Sequence, residues 1–225
     1  RTGVMQLNVL RSYIDEGGKD DAPGQKDLTA TSSDSTATDL ILTVNWDITS
    51  LNGGNTADAC YLFDSDGDGF ANVAICVTWG GSGTIQSVTK YTCNDTSRDR
   101  CAGADTGTAL ATTVCTLSTT APDPFGSLST DAPNTDAKAT CTIPFTTITA
   151  GGTISTLINT CSYPSQEPNS APSDCLLIPR DGFLKLTKVL VGGPAGYTGP
   201  FNLTYTCTKT GSNNITATEP VAAGT

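Results

Sequence analysis

No histidine occurs anywhere in the 225-residue chain. That absence removes the Ser-His and Cys-His nucleophilic pairs, most catalytic zinc sites and imidazole acid–base chemistry. Carboxylate-pair hydrolysis survives the exclusion, because it needs only Asp or Glu. Glutamate is nearly missing as well: it occurs at Glu16, Glu167 and Glu219, leaving nineteen of the 22 acids as Asp. Aspartate suits turns and hard-cation sites, whereas Glu suits helix interiors. Basic residues are scarce, and a formal charge of −10 argues against nucleic acid and anionic membranes, which select basic surfaces. No apolar run approaches the ~20 residues of a spanning helix, so no direct membrane insertion is expected in this stretch. The chain opens at Arg1 without Met or an apolar leader, the pattern of a processed or excised product.

What is present points to strands. Thr is the commonest residue, and 23 Gly and 12 Pro supply turns. Apolar residues alternate in "VMQLNVLRSYI" (4–14), in "LILTVNWDI" (Leu40, Leu42, Val44 and Trp46 on one face) and in "ANVAICVTW" (Val73, Ile75, Val77 and Trp79 on one face). "TIQSVTKYTC", "ALATTVCTL" and "ATCTIPFTTIT" continue the pattern, while "TISTLINTC" fits either a strand or a helix. The fold class read from this is all-β: a β-sandwich, jelly-roll or Ig-like, over residues 1–180. Within it, 161–180 is a Pro-rich linker or covering loop, and 181–225 forms a second β module, which the resemblance given below implies to be a partial Ig-like one.

Nine cysteines place the chain in an oxidising compartment. Eight should pair, most simply as near neighbours: Cys60–Cys76, Cys93–Cys101, Cys115–Cys141 and Cys161–Cys175. Eight cysteines allow 105 connectivities, among which sequence does not choose. Cys60 and Cys76 straddle their loop symmetrically, so a hairpin in that register sets them face to face. Cys207 is left over.

Between those two cysteines lies "DSDGDGFAN". Asp64, Asp66 and Asp68 occupy alternate positions, Gly69 permits a sharp turn, Phe70 offers a backbone carbonyl, and Asn72 sits ninth. Hard dications want such converging oxygens. An EF-hand would place Glu at the twelfth position, where this chain has Ile75 in a strand pattern, so a helix-switching sensor is excluded. The loop is similar to the Asp-rich hairpin loops that hold calcium in integrin β-propellers and to thrombospondin type 3 loops, which implies calcium as a structural staple. The acidic stretch 15–27, with Asp15, Glu16, Asp20, Asp21 and Asp27, offers acids for a second cation, but its spacing is irregular and it reads rather as a solvated loop.

Trp46, Trp79 and Tyr91 would make a sugar-stacking platform only if they were exposed, and the phase of both Trp favours the core. Asn94, Asn202 and Asn214 head glycosylation sequons. The segment "LTKVLVGGPAGYTGPFNLTYTC" (Leu186 to Cys207) resembles the repeated Ig-like modules of bacterial surface proteins, of collagen-adhesin B-type look in pilins. "LNVLRSYIDEGG" and "DACYLFDSDGDGFANVAICVT" resemble the opening of large secreted bacterial repeat proteins. The resemblance implies an extracellular, secreted or cell-surface structural role with no catalytic residues. It also raises an isopeptide bond at Lys185 or Lys188, for which no matching Asn-bearing strand is found. The function read from the sequence is a non-enzymatic subunit of a cell-surface fibre or adhesin, held by calcium and disulfides. Its partners would be copies of itself in a polymer, other surface proteins or glycans. The alternative is a calcium-dependent carbohydrate-binding module. The tail is too short to close an Ig-like sandwich, so either the chain is incomplete or a neighbouring strand, such as 5–14, completes it in trans.

Overall fold

The computed structural model describes residues 11–15, 22, 24–36, 38–111, 113–125, 135–148, 156–178, 201–207 and 215–221. The chain divides into two units, Asn8–Asp181 and a second drawn from Arg1–Leu7 with Gly182–Thr225. The larger unit is an all-β sandwich. Its strands are β1 (Arg11–Ile14), β2 (Leu28–Ser35), β3 (Asp39–Trp46), β4 (Thr56–Asp64), β5 (Val73–Gly80), β6 (Thr84–Thr92), β7 (Thr108–Ala109), β8 (Val114–Pro122), β9 (Thr135–Pro144), β10 (Thr156–Ser162) and β11 (Asp174–Leu177). A four-residue helix, Phe145–Ile148, follows β9. Five strands pair in the order β1-β2-β3-β9-β8 and six in the order β11-β10-β4-β5-β6-β7. All the pairings are antiparallel.

The alternating residues do what their period requires. Leu42, Val44 and Trp46 of β3 and Ala137, Ala139, Cys141 and Ile143 of β9 meet Tyr61, Phe63, Ile75, Val77 and Trp79 of the facing sheet in one buried core. Trp46 and Trp79 cross edge to face at 6.1 Å between ring centroids, and Trp46 Nε1 donates to Asp58 O across the sheets at 3.0 Å. Both indoles are 0% exposed, so neither contributes to a sugar-stacking surface.

β4 is buried almost throughout and β5 entirely, on both faces, which accounts for their dense apolar content. Their outer face carries a second apolar cluster of Cys60, Leu62, Ala74, Cys76, Ile158, Cys161 and Tyr163. Residues 93–105 and 163–173 cover it. The two covers are tied together: Cys101 N donates to Pro168 O at 2.8 Å, Gly103 N to Asn169 Oδ1 at 2.8 Å, and Tyr163 Oη to Asp99 O at 2.8 Å.

Four disulfides join Cys60–Cys76, Cys93–Cys101, Cys115–Cys141 and Cys161–Cys175, the near-neighbour pairs. Cys60 lies directly opposite Cys76 on β5 and opposite Cys161 on β10, and Cys161 opposite Cys175 on β11. Two bridges therefore run end to end in one row across four strands. Such a set of bridges belongs to an oxidising compartment, outside the reducing cytosol.

Two segments that alternation did not assign are strands. Residues 156–162 form β10, and the polar "LTATSSDS" is β2. β2 is accommodated inside because its hydroxyls find partners: Thr31 Oγ1 bonds Thr43 O at 2.9 Å and Thr160 Oγ1 of the other sheet at 3.1 Å. At the start of the chain, Arg11–Ile14 pairs with β2 in its own sheet. Residues 4–10 lie outside the described residues, as do Lys185, Lys188, Asn214 and residues 16–21 of the acidic stretch 15–27; of that stretch, Asp15 and Asp27 are buried rather than solvated, at 7% and 2% exposure. The smaller unit contributes one hairpin, β12 (Phe201–Cys207) with β13 (Ile215–Val221). Asn202 and Cys207 fall on β12, and their side chains are outside the description. No helix among the described residues is long and apolar enough to cross a membrane.

Candidate metal centre

The turn between β4 and β5 is built by its own aspartates. Asp64 Oδ1 accepts the N–H groups of Asp66 (3.1 Å) and Gly67 (2.6 Å), and Oδ2 accepts that of Gly69 (2.6 Å). Asp66 Oδ1 takes Asp68 N at 3.3 Å, and Asp68 Oδ1 takes Phe70 N at 2.8 Å. Each carboxylate thus bonds the backbone two residues on, the Asx-turn habit that favours Asp in turns. Gly67 and Gly69 both stand at φ 91°, where a side chain would be strained. The result is a tight coil that turns alternate carboxylates toward one point. One oxygen from each of Asp64, Asp66 and Asp68 lies within 4.8 Å of the others. Oxygens sharing one calcium stand no more than about 5 Å apart, twice a ~2.3–2.6 Å bond. The spacing fits.

Asn72 and Phe70 flank this trio. Asn72 Oδ1 accepts Ser65 N at 2.6 Å and Ser65 Oγ at 2.9 Å, so this oxygen closes the base of the loop. Phe70 is 40% exposed at the rim. The residue that alternation of acids could not reveal is Asp95. It sits on the disulfide-closed loop 93–101, which docks on the turn through Ala71 N to Ser97 O (2.8 Å) and Cys93 N to Asn72 O (2.9 Å). Asp95 bonds the Asn72 side chain, and its carboxyl is held above the usual range by burial and then by the charges of Asp66, Asp68 and Asp64. Its Oδ1 is buried with no hydrogen-bond partner among the described residues. The charges of the three loop carboxylates thus act on Asp95 as well, a repulsion that a cation held among Asp64, Asp66 and Asp68 would relieve.

Asp64, Asp66 and Asp68 would hold a hard dication, which would supply charge neutralisation there; Asp95, on the neighbouring loop, is outside this converging trio and would feel the ion through its charge. Nothing in this donor set, all oxygen and no thiolate or imidazole, suits a softer metal.

Other acids are used elsewhere. Asp58 is buried beneath the sheet's outer cover, paired with Lys26 and accepting Tyr163 N at 3.0 Å; burial raises its carboxyl, against the pull of Lys26. Asp136 is pushed up to about 6, by burial first, against hydrogen bonds from Thr29 and Asn45. Of the sequon asparagines, Asn94 is exposed and accepts Thr96 Oγ1 at 2.6 Å. Comparison with family models, with curated proteins and with solved structures returns no match.

Proposed function

We propose that this chain is an extracellular, non-enzymatic structural protein, a subunit of a cell-surface fibre or adhesin whose sandwich is held in shape by calcium and disulfides. The observation that supports it best is where the staples lie. The row Cys175–Cys161 and Cys60–Cys76, the bridge Cys93–Cys101 and the carboxylate loop all gather on the outer side of one sheet. Cross-links of that kind lower the entropy of the unfolded chain and add nothing to a reaction. A cation bound only by the folded state would stabilise it by mass action, ~2.7 kcal/mol at a hundredfold excess over its dissociation constant. Open sheet edges give the self-assembly reading its contact surface.

Native material imaged by negative stain in calcium should show fibres or surface-attached assemblies, and chelator should lower the melting temperature. A monodisperse monomer at high concentration, with a melting temperature indifferent to chelator, is the result that sinks the proposal. The glycan-binding alternative has lost its indole platform, and a glycan array showing calcium-dependent binding would restore it.

A further inference from the structure

One end of the five-stranded sheet carries a second group of acids that no loop motif announces. β3 ends at Trp46, β8 at Pro122, and β9 begins at Thr135; in the order β3-β9-β8 these three ends are neighbours. Trp46 pairs with Ala137 and Ala121 with Asp136, so the chain ends converge there by register. Asp47, Asp123 and Asp136 each offer one carboxylate oxygen, and the three oxygens lie within 4.8 Å of one another. That spacing again fits one hard cation.

Asp136 is the telling residue. It is 0% exposed. Thr29 Oγ1 donates to its Oδ2 at 2.5 Å, and Asn45 Nδ2 donates to the same oxygen at 3.1 Å. Oδ1 is left buried with no hydrogen-bond partner among the described residues. A side chain clamped through one oxygen, with the other dry and unused, is costly unless something binds it. Two further carboxylates beside it deepen the cost, and a cation among the three removes both penalties.

We propose that Asp47, Asp123 and Asp136 bind a hard divalent cation, calcium by their all-oxygen character, with Asp136 as the buried anchor. The site is separate in sequence and in strand placement from the loop at Asp64. Bound there, the ion would pin the ends of three adjacent strands, joining the end of β3 to β8 and β9 much later in the chain.

The test is calorimetric titration of the whole chain with calcium alone, supported by elemental analysis. A variant carrying Asp66→Asn and Asp68→Asn removes two exposed ligands of the other loop and leaves Asp64 to organise its turn. This variant is expected to retain one binding event, and adding Asp47→Asn or Asp136→Asn should weaken that event by about tenfold or more. If Asp136→Asn does not fold, Asp47→Asn, at a partly exposed position, gives the reading by itself. A loop variant that takes up no calcium overturns the proposal, since Asp136 is then simply a buried acid held by Thr29 and Asn45. Equal affinity with and without Asp47→Asn overturns it too. A wild type whose single event survives unchanged in the loop variant, and is lost with Asp47→Asn, would support this site while removing the one at Asp64.

Discussion

Asp95 shows how much a single side chain can carry. Its backbone is held at φ 59°, a conformation that glycine adopts freely. Asp95→Gly therefore keeps the loop and strips the carboxylate. Calcium affinity should fall by about tenfold in the calorimeter; an unchanged affinity would show that the orphaned oxygen serves no ion. Tyr61 and Tyr163 give a residue-scale prediction in pH. Burial holds both phenols far above their usual range, and for Tyr163 the charges of Asp99 and Asp58 add to it. Folded pKa values raised above an unfolded value of about 10 mean that their contribution is complete below that pH and is lost as pH rises beyond it. In an absorbance titration these two tyrosines should ionise only as the chain unfolds. Tyr61 Oη has no hydrogen-bond partner among the described residues. Tyr61→Phe should accordingly be neutral or stabilising by about 1 kcal/mol at neutral pH in urea unfolding.

At the scale of the element, β4 and β5 are unusual in having no solvent face, and the bridge Cys60–Cys76 between them is correspondingly shielded, at 0% and 6% exposure. The other bridges each have one partly exposed member: Cys93, Cys115 or Cys175. Thiol–disulfide exchange needs access to a sulfur. Graded reduction followed by alkylation and peptide mapping should therefore open Cys60–Cys76 last. Its replacement by serine at both positions should cost about 2–5 kcal/mol, as for bridges in small secreted domains. Early loss of Cys60–Cys76 would mean that the cover formed by 93–105 and 163–173 opens readily in solution.

For the whole molecule, the edges decide what it can join. β8 is a nine-residue edge strand whose outward positions are Val114, Thr116, Ser118 and Thr120, with Val114 67% exposed. Its pairing with β9 is regular from Val114 to Ser118 and shifts register between Ser118 and Ala121; long, uncharged edges invite pairing with another chain, and lysine on an edge blocks it. Thr116→Lys with Thr120→Lys should abolish assembly in electron micrographs while leaving the melting temperature within a few degrees. Fibres that persist in that variant would move the contact to another edge.

The all-β class, the carboxylate turn and the bridge Cys60–Cys76 were legible in the sequence because each is local; the other three pairs were only the simplest of many connectivities. Period-two alternation at Leu40–Trp46 or Val73–Trp79 states which face is inside, an Asx-turn needs only the next two residues, and a hairpin sets Cys60 against Cys76 by symmetry about its own loop. β2 was not legible, since its Thr and Ser are interior only because Thr160 and Asp136 arrive from elsewhere to satisfy them. The same holds for Asp95 beside the turn, for Lys26 on Asp58, and for Asp47, Asp123 and Asp136 together. Those meetings follow from the docking of loop 93–101 and from the pairings of β3 with β9 and β4 with β10, which join segments about a hundred residues apart. Strand order is chosen by the packing of whole sheets, and no local period carries it.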